Sequence, residues 1–328
     1  MTRYSRTWKA ALLAALLAPV FTAGPMSEAL AAEGDYPEKT VHIVVPYGPG
    51  GNTDVTTRLI AQSISQSINK PIVVDNRPGA GVTVGSAFVA RSTPDGYTFL
   101  VTTLAHAINP SMYPDLPYDS EKDFVPIALI GKVPLVLSVR PQSPAKDQQS
   151  LIEMLQKGPG QYSFASSGVG SPMHIAGELF KRESKTDANH VPYKGEAPAH
   201  TDVMGGHVDY SLGTITATVP LVRSGSLRAL SIASAQRSDL LPDVPTMSEA
   251  GLPGFEAYTW TALLAPAGTP QHVIAFMNRE VNKALANPDL IERLTNQGTE
   301  IEAGSTPEST REFMQAEAKK WGAIMKTP

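Results

Sequence analysis

The 328-residue sequence has no cysteine. Disulfides, thiolate zinc sites and a cysteine nucleophile are therefore excluded. It also lacks a basic excess, since 27 Lys and Arg face 31 Asp and Glu for a formal net charge of −4. Nucleic-acid binding draws mainly on contacts between Lys or Arg and phosphate, so a mildly acidic chain with no basic block excludes that class. Beyond residue 31 no apolar run approaches the ~20 residues that span a bilayer, and the remaining chain is expected not to be membrane-embedded. Low-complexity tracts and short-period repeats are missing too. So are the usual enzyme signatures. Gly48-Pro49-Gly50-Gly51 does not fit the G-x-G-x-x-G dinucleotide pattern, no Gly-Lys-Ser/Thr follows it, and there is no G-x-S-x-G nucleophile elbow. The expectation is a protein without enzymatic activity, cofactor or metal.

What is present begins with an export signal. Arg3, Arg6 and Lys9 form a basic start, and Ala10 to Ala23 is an almost unbroken apolar run. Ala29-Leu30-Ala31 supplies the small residues that a signal peptidase reads, with cleavage before Ala32. Residues 1–31 are thus expected to be a signal peptide and the destination the periplasm. Their removal takes away three positive charges and Glu28, moving the net charge from −4 to about −6. Roughly 297 residues remain, enough to bury a core without disulfides and to form about two domains.

Short β-rich runs alternate with helical patterns, which predicts α/β architecture. Val41 to Val45 reads as a buried strand that ends in the Pro- and Gly-rich turn Pro46 to Asp54. A helix is expected from Thr53 to Ile68, with Ile60, Ala61, Ile64 and Ile68 on one face. A strand at 72–74, a Gly-rich turn at 76–81, a helix at 85–90 and a strand at 97–102 follow. Further strands are expected at 125–130 and 134–139. The middle repeats the opening: a strand at 162–165, a Ser- and Gly-rich turn at 166–172, then a helix at 173–182 with Pro172 in its first turn. Strands at 190–193, 208–212 and 227–233 complete a second sheet. A strand at 260–265 returns to the first, and three helices at 270–286, 288–297 and 307–325 each start near a proline. The predicted fold is α/β with two lobes, one comprising 36–135 plus 256–328 and the other 136–255.

Two turns could carry chemistry. Glycines between a strand and a helix let backbone N–H groups approach a ligand, and the helix macrodipole favours an anion there. The first turn offers Tyr47, Gly48, Pro49, Gly50, Gly51, Asn52 and Thr53. The second offers Ser166, Ser167, Gly168, Gly170 and Ser171, with three hydroxyls besides the backbone donors. Each could hold one end of a small carboxylate without an arginine. Thr103 and His106, just past a strand end, are further candidate contacts. Lys194 follows another strand end, where ligands sit in open α/β sheets, and Tyr47 and Tyr193 could wall the pocket. Asp54 would repel a carboxylate if it pointed inward, so it is expected to face the backbone as a cap or dipole partner. Taken singly, each Gly turn also reads as a plain connection, and Lys194 as an exposed turn residue. His174 and Glu178 are spaced i,i+4 and could share a metal, but no third ligand is evident, and a solvated or capping histidine is the better reading. An exported hydrolase using His174 or His106 would need a nucleophile–base pair that the sequence does not offer.

Several motifs together resemble the tripartite tricarboxylate transporter substrate-binding family, also called the Bordetella uptake proteins. They include Tyr36-Pro37, the run from Val44 to Asp54, Asn76-Arg77-Pro78-Gly79-Ala80-Gly81 and Pro94-Asp95-Gly96-Tyr97-Thr98. Ser167 to Ser171, His190-Val191-Pro192-Tyr193-Lys194-Gly195 and Gly205-Gly206-His207-Val208-Asp209 continue the match. Leu241 to Thr246 and Ala265 to Pro270 complete it, so the resemblance runs in order through the mature chain. It implies a periplasmic Venus-flytrap protein, each lobe a mixed sheet flanked by helices, that binds carboxylates through backbone amides and ordered waters. The implied ligand is a di- or tricarboxylate or an aromatic or aliphatic acid. The implied partners are the large and small membrane subunits of a permease, or in some members a sensor kinase. By motif match the contacts fall on Tyr47 to Thr53 and on Ser166 to Ser171. The family usually has Phe-Ala or a similar pair where Tyr47-Gly48 stands, which alters pocket width at one end, and glycine is common in place of Val82.

Overall fold

A computed structural model of the chain describes residues 36–325, and the expected signal peptide at 1–31 lies outside them. β1 (Val41–Val45) is apolar and buried apart from His42. It leads through the first Gly turn into α1 (Asn52–Ile68), whose Leu59, Ile60, Ala61 and Ile64 face inward. The same strand–turn–helix step recurs as β2 (Ile72–Asn76) with α2 (Thr83–Ala90), and as β3 (Thr98–Thr102) with α3 (Leu104–Met112). β1 lies between β2 and β3, parallel to both. Parallel neighbours need a crossover, which the helices supply.

β4 (Phe124–Val139) is one 16-residue strand where the sequence pattern suggested two. After it come α4 (Gln148–Lys157), β5 (Ser163–Ser166), α5 (Pro172–Ser184), β6 (Asn189–Pro192), α6 (Glu196–Gly205), β7 (Tyr210–Thr214), α7 (Ile215–Arg223) and β8 (Arg228–Ile232). The chain ends with β9 (Tyr258–Pro266), α8 (Gln271–Leu285), α9 (Pro288–Thr295), β10 (Glu300–Ile301) and α10 (Pro307–Met325). Gly131 does not interrupt β4, because it pairs with Thr261 of β9 on one side and Ile301 of β10 on the other. A Cβ there would sit 2.7 Å from the Glu300 carbonyl oxygen, so glycine permits this close approach instead of marking a break.

The neighbours of β4 change along its length. From Phe124 to Pro134 it pairs antiparallel with β9, and from Leu135 to Val139 with β7 and β8. β4 therefore belongs to two mixed sheets, β2-β1-β3-β9-β4 and β4-β7-β5-β6. In the second, β5 is parallel to both β6 and β7. α10 packs on α3, β4 and α5. Its buried Glu317 accepts hydrogen bonds from the indoles of Trp260 (3.2 Å) and Trp321 (2.9 Å) and from the hydroxyl of Tyr258 (3.2 Å), so these large core rings leave no polar atom unpaired.

Four helices, α3, α4, α6 and α7, are additional to those expected. α3 and α7 are short and carry Pro110 and Pro220 inside them, which normally argues against a helix. α4 had a readable start, since Asp147 and Ser150 form a capping box ahead of Leu151, Ile152 and Leu155. α5 ends on exposed Lys185 in the left-handed region (φ 53°). That conformation costs a side chain about 1 kcal/mol that glycine escapes. Lys185→Gly is therefore expected to stabilise the protein by about 1 kcal/mol, read as a higher urea midpoint with an unchanged slope.

Candidate functional site

In each sheet three parallel strands end on a common edge, and each is followed by a helix N-terminus. α1, α2 and α3 follow β1, β2 and β3; α5, α6 and α7 follow β5, β6 and β7. The carboxyl ends of parallel strands are where open α/β sheets bind ligands, and helix N-termini bring unpaired N–H groups and positive dipole ends to them.

The first turn is exposed from Gly48 to Gly51. Gly50 adopts φ 83°, and a Cβ on Gly48 or Gly50 would meet nothing within 4 Å. Beneath it lies Asp54, only 2% exposed. Its Oδ2 accepts the Gly50 N–H (2.8 Å) and the Arg58 Nε–H (3.1 Å), and its Oδ1 accepts from Asn76 Nδ2 (2.9 Å). Asn76 Nδ2 also donates to the Tyr47 carbonyl (3.0 Å), and Arg58 Nη2 donates to Asn76 Oδ1 (2.7 Å). Asp54 thus binds the turn's own backbone, and Gly51, not Asp54, is the N-cap. Burial pushes its carboxyl up, but the bonds from Arg58, Gly50 and Asn76 outweigh this and hold it below the usual carboxylate range. The Tyr47 hydroxyl bonds Thr103 Oγ1, which also caps α3 through the Ala105 N–H. Burial pushes the Tyr47 phenol up to about 12, against the opposing effect of Thr103. Asn52 Oδ1 is buried without a partner among the described residues.

The second turn is secured by imidazoles. Ser166 Oγ lies 2.6 Å from His190 Nε2 and accepts the Gly168 N–H (3.1 Å), while His174 Nδ1 accepts the Gly170 N–H (3.1 Å). Ser171 caps α5 by accepting from the His174 N–H. The two imidazoles stack at 4.0 Å between centroids, and Phe164 stacks on His190. Burial lowers both rings, His190 to about 4, so both are neutral near pH 7. The two turns share a design: a side chain four residues on ties down one glycine amide, Asp54 for Gly50 and His174 for Gly170. The backbone N–H groups of Gly48, Gly51, Ser167 and Val169 have no bond among the described residues. Those four amides are available to an anion.

Residues 56–328 match the family model described as tripartite tricarboxylate transporter family receptor. This chain belongs to that family. Protein BugT of Bordetella pertussis is 38% identical over 89% of this chain and 90% of its own. Among solved structures, MatC of Rhodopseudomonas palustris with bound malate is 36% identical, with TM-score 0.79 over 89% of this chain and all of MatC. A second R. palustris protein, solved with adipate, is 35% identical, with TM-score 0.82 over 89% of this chain and 98% of its own. The fold is that of the two-lobed periplasmic binding proteins.

Of the receptor's other candidate residues, Tyr193 lies against the second turn, its N–H donating to the Ser166 carbonyl (2.9 Å) and its own carbonyl beside Gly168. The Tyr193 hydroxyl donates to Asp202, and burial with that bond pushes it up to about 12, so its polar end is tied to α6. Lys194 is exposed. His106 is buried, with its ring against Tyr118 and Phe124 and its Nε2 3.0 Å from the Ser120 carbonyl oxygen. It borders a cavity of about 750 Å³ that Tyr113, Arg311 and Gln315 also line. His174 faces Gly170, and Glu178 pairs with Lys181 (3.1 Å), so the i,i+4 spacing serves the turn and an ion pair. No group of three or more His, Cys, Asp or Glu side chains could hold a metal among the described residues, and no described helix is long and apolar enough to cross a membrane. Sequence reasoning missed two residues on the second edge. Thr214, at the end of β7, is the N-cap of α7, and Glu196, the first residue of α6, reaches across to it. An acid just after Lys194-Gly195 is visible in the sequence, but its partner is 18 residues away.

Proposed function

We propose that this receptor captures a small carboxylate between its two sheet edges and hands it to the membrane subunits of a tripartite transporter. The observation that carries the reading is the pair of Gly turns, one per sheet, each with backbone amides left unbonded at a helix start. The malate and adipate held by its structural relatives agree with this chemistry. The contacts are assigned to Tyr47–Thr53 and Thr103 on one edge and to Ser166–Ser171 on the other. The lobes comprise 36–135 plus 256–328 and 136–255, with β4 and β9 at their junction. Residues 1–31 direct export and the protein works in the periplasm as a binder, not an enzyme. His106 anchors α3 by packing its ring against Tyr118 and Phe124, and Lys194 supplies positive charge beside the second edge. Nothing in the fold or the relatives favours the sensor-kinase alternative.

Ligand acts by adding contacts that exist only when both edges close on it. It moves the open–closed equilibrium by the ratio of its affinities for the two states. Calorimetric titration of the mature chain with malate, adipate, an aromatic acid and an uncharged sugar tests the proposal. At least one acid is expected to bind and the sugar to give no heat. Binding confined to uncharged solutes would overturn the carboxylate reading.

A further inference from the structure

The second edge already holds an anion of its own. Glu196 opens α6 directly after Gly195, and its carboxylate spans to the start of α7. Its Oε1 accepts the Thr214 backbone N–H and its Oε2 accepts the Thr214 hydroxyl (3.0 Å). Thr214 Oγ1 in turn accepts the Ala217 N–H (3.3 Å), so the acid is held by the very residue that caps α7. His200, one turn along α6 and buried, brings Nε2 to 3.4 Å from Oε1 without hydrogen-bond alignment. Its Nδ1 lies 3.4 Å from Ser211 Oγ. Beside this group the buried Thr218 Oγ1 has no partner among the described residues. The Glu196 charge therefore rests between two helix N-termini, on donors suited to an incoming carboxylate. Among the described residues the α5 turn is bonded by Ser166 and His174 and by no acid, and the amides of Ser167 and Val169 have no bond.

Two carboxylates cannot comfortably share such a place, because like charges a few ångströms apart raise each other's energy. We infer that Glu196 is a specificity residue standing in for a second ligand carboxylate, so that this receptor selects monoanionic acids with a neutral far end over dicarboxylates. The inference rests on the carboxylate-binding reading and narrows it. The ligand's one carboxylate meets the free amides of the Gly turns. Its far end meets Glu196, which accepts hydrogen bonds from a hydroxyl or an amide but repels an anion. The malate- and adipate-bound relatives differ from this chain in the ligand class expected here.

Acids that differ by one charge and little in shape provide the test. Succinate with succinamate, and adipate with adipamate, would be titrated calorimetrically at pH 7.5 into the mature protein and into Glu196→Gln. The amide keeps an acceptor for the Thr214 N–H, and thermal unfolding of both proteins checks that the fold survives. Wild type is expected to prefer the monoanion of a pair by tenfold or more, and Glu196→Gln to shift that ratio at least tenfold toward the dianion. A purely structural link between α6 and β7 would weaken both acids alike and leave the ratio unmoved. An unmoved ratio, or a wild-type preference for the dianion, overturns the inference while the carboxylate reading stands. Failure of every acid to bind either protein overturns both.

Discussion

Replacing Asp54 by Ala is expected to lower stability by about 3 kcal/mol and carboxylate affinity by tenfold or more. The carboxylate is almost fully buried and gathers four elements of the first edge: the Gly50 amide, Arg58, Asn76 and, through Asn76, the Tyr47 carbonyl. Hydrogen bonds to a charged group contribute about 1.5–3 kcal/mol each, but Arg58 is half exposed, so its share is discounted for solvent. The remainder reflects the Gly50 and Asn76 donors stranded by the truncation. A loss of this size would lower the melting temperature by several degrees in a protein of this length. The effect on binding is separate: without its anchor the Gly48–Gly51 segment no longer holds its amides in one arrangement, and ordering them falls to the ligand. Urea unfolding and calorimetry on Asp54→Ala and Asp54→Asn measure the two effects, with the Asn variant expected between wild type and Ala. If both variants bind at wild-type affinity, the network does not organise the site.

Acid should act on both stability and binding between about pH 6.5 and pH 4. The ordinary pKa of histidine is about 6.5. Burial drives His106 to about 4, against the opposing bond to Ser120, so folding favours its neutral ring. A group whose pKa is depressed in this way contributes fully above its unfolded value and loses its contribution as pH falls toward the folded one. For His106 that amounts to about 3 kcal/mol at pH 4, from ~1.4 kcal/mol per pH unit. Urea midpoints should fall over this window, and His106→Gln should flatten the fall. The stacked pair His174 and His190 shifts in the same direction, His190 under burial and the charges of His174 and Lys181, His174 under burial with Glu178 opposing and Lys181 reinforcing. Protonated, His174 Nδ1 can no longer accept the Gly170 N–H, so affinity should weaken as pH falls below the ordinary histidine range. His174→Asn, which stays neutral, should show a flatter affinity profile. Affinity that is level from pH 7 to pH 4.5 would separate these rings from the site.

Much of this was written in local sequence. The apolar run Val41 to Val45 against the Gly-Pro-Gly-Gly turn marked β1 and the start of α1, and prolines marked the starts of α9 and α10. The inward danger of a carboxylate at Asp54 pointed to its backbone-facing role before any geometry. The rest depended on partners distant in the chain. The strands expected at 125–130 and 134–139 left out Gly131, whose place in β4 is explained only by the approach of Glu300, far along the sequence. Pro110 and Pro220 masked helices that tertiary packing sustains regardless. Nothing near Glu196 announces Thr214, and nothing near Gly170 announces that His174 would turn back to it while stacking on His190. Strand ends could be read, but not the direction in which their side chains look.

One feature of the architecture bears on how such a molecule can move. β4 takes part in both sheets without interruption, exchanging β9 for β7 and β8 beside Leu135. A junction of this kind couples the two sheets through one continuous backbone, with irregular register at Pro126/Ala128, Leu129/Gly131 and Leu137/Ser138. Any shift of one sheet against the other would have to be taken up in the backbone angles of β4 near Leu135, the strand that both sheets share.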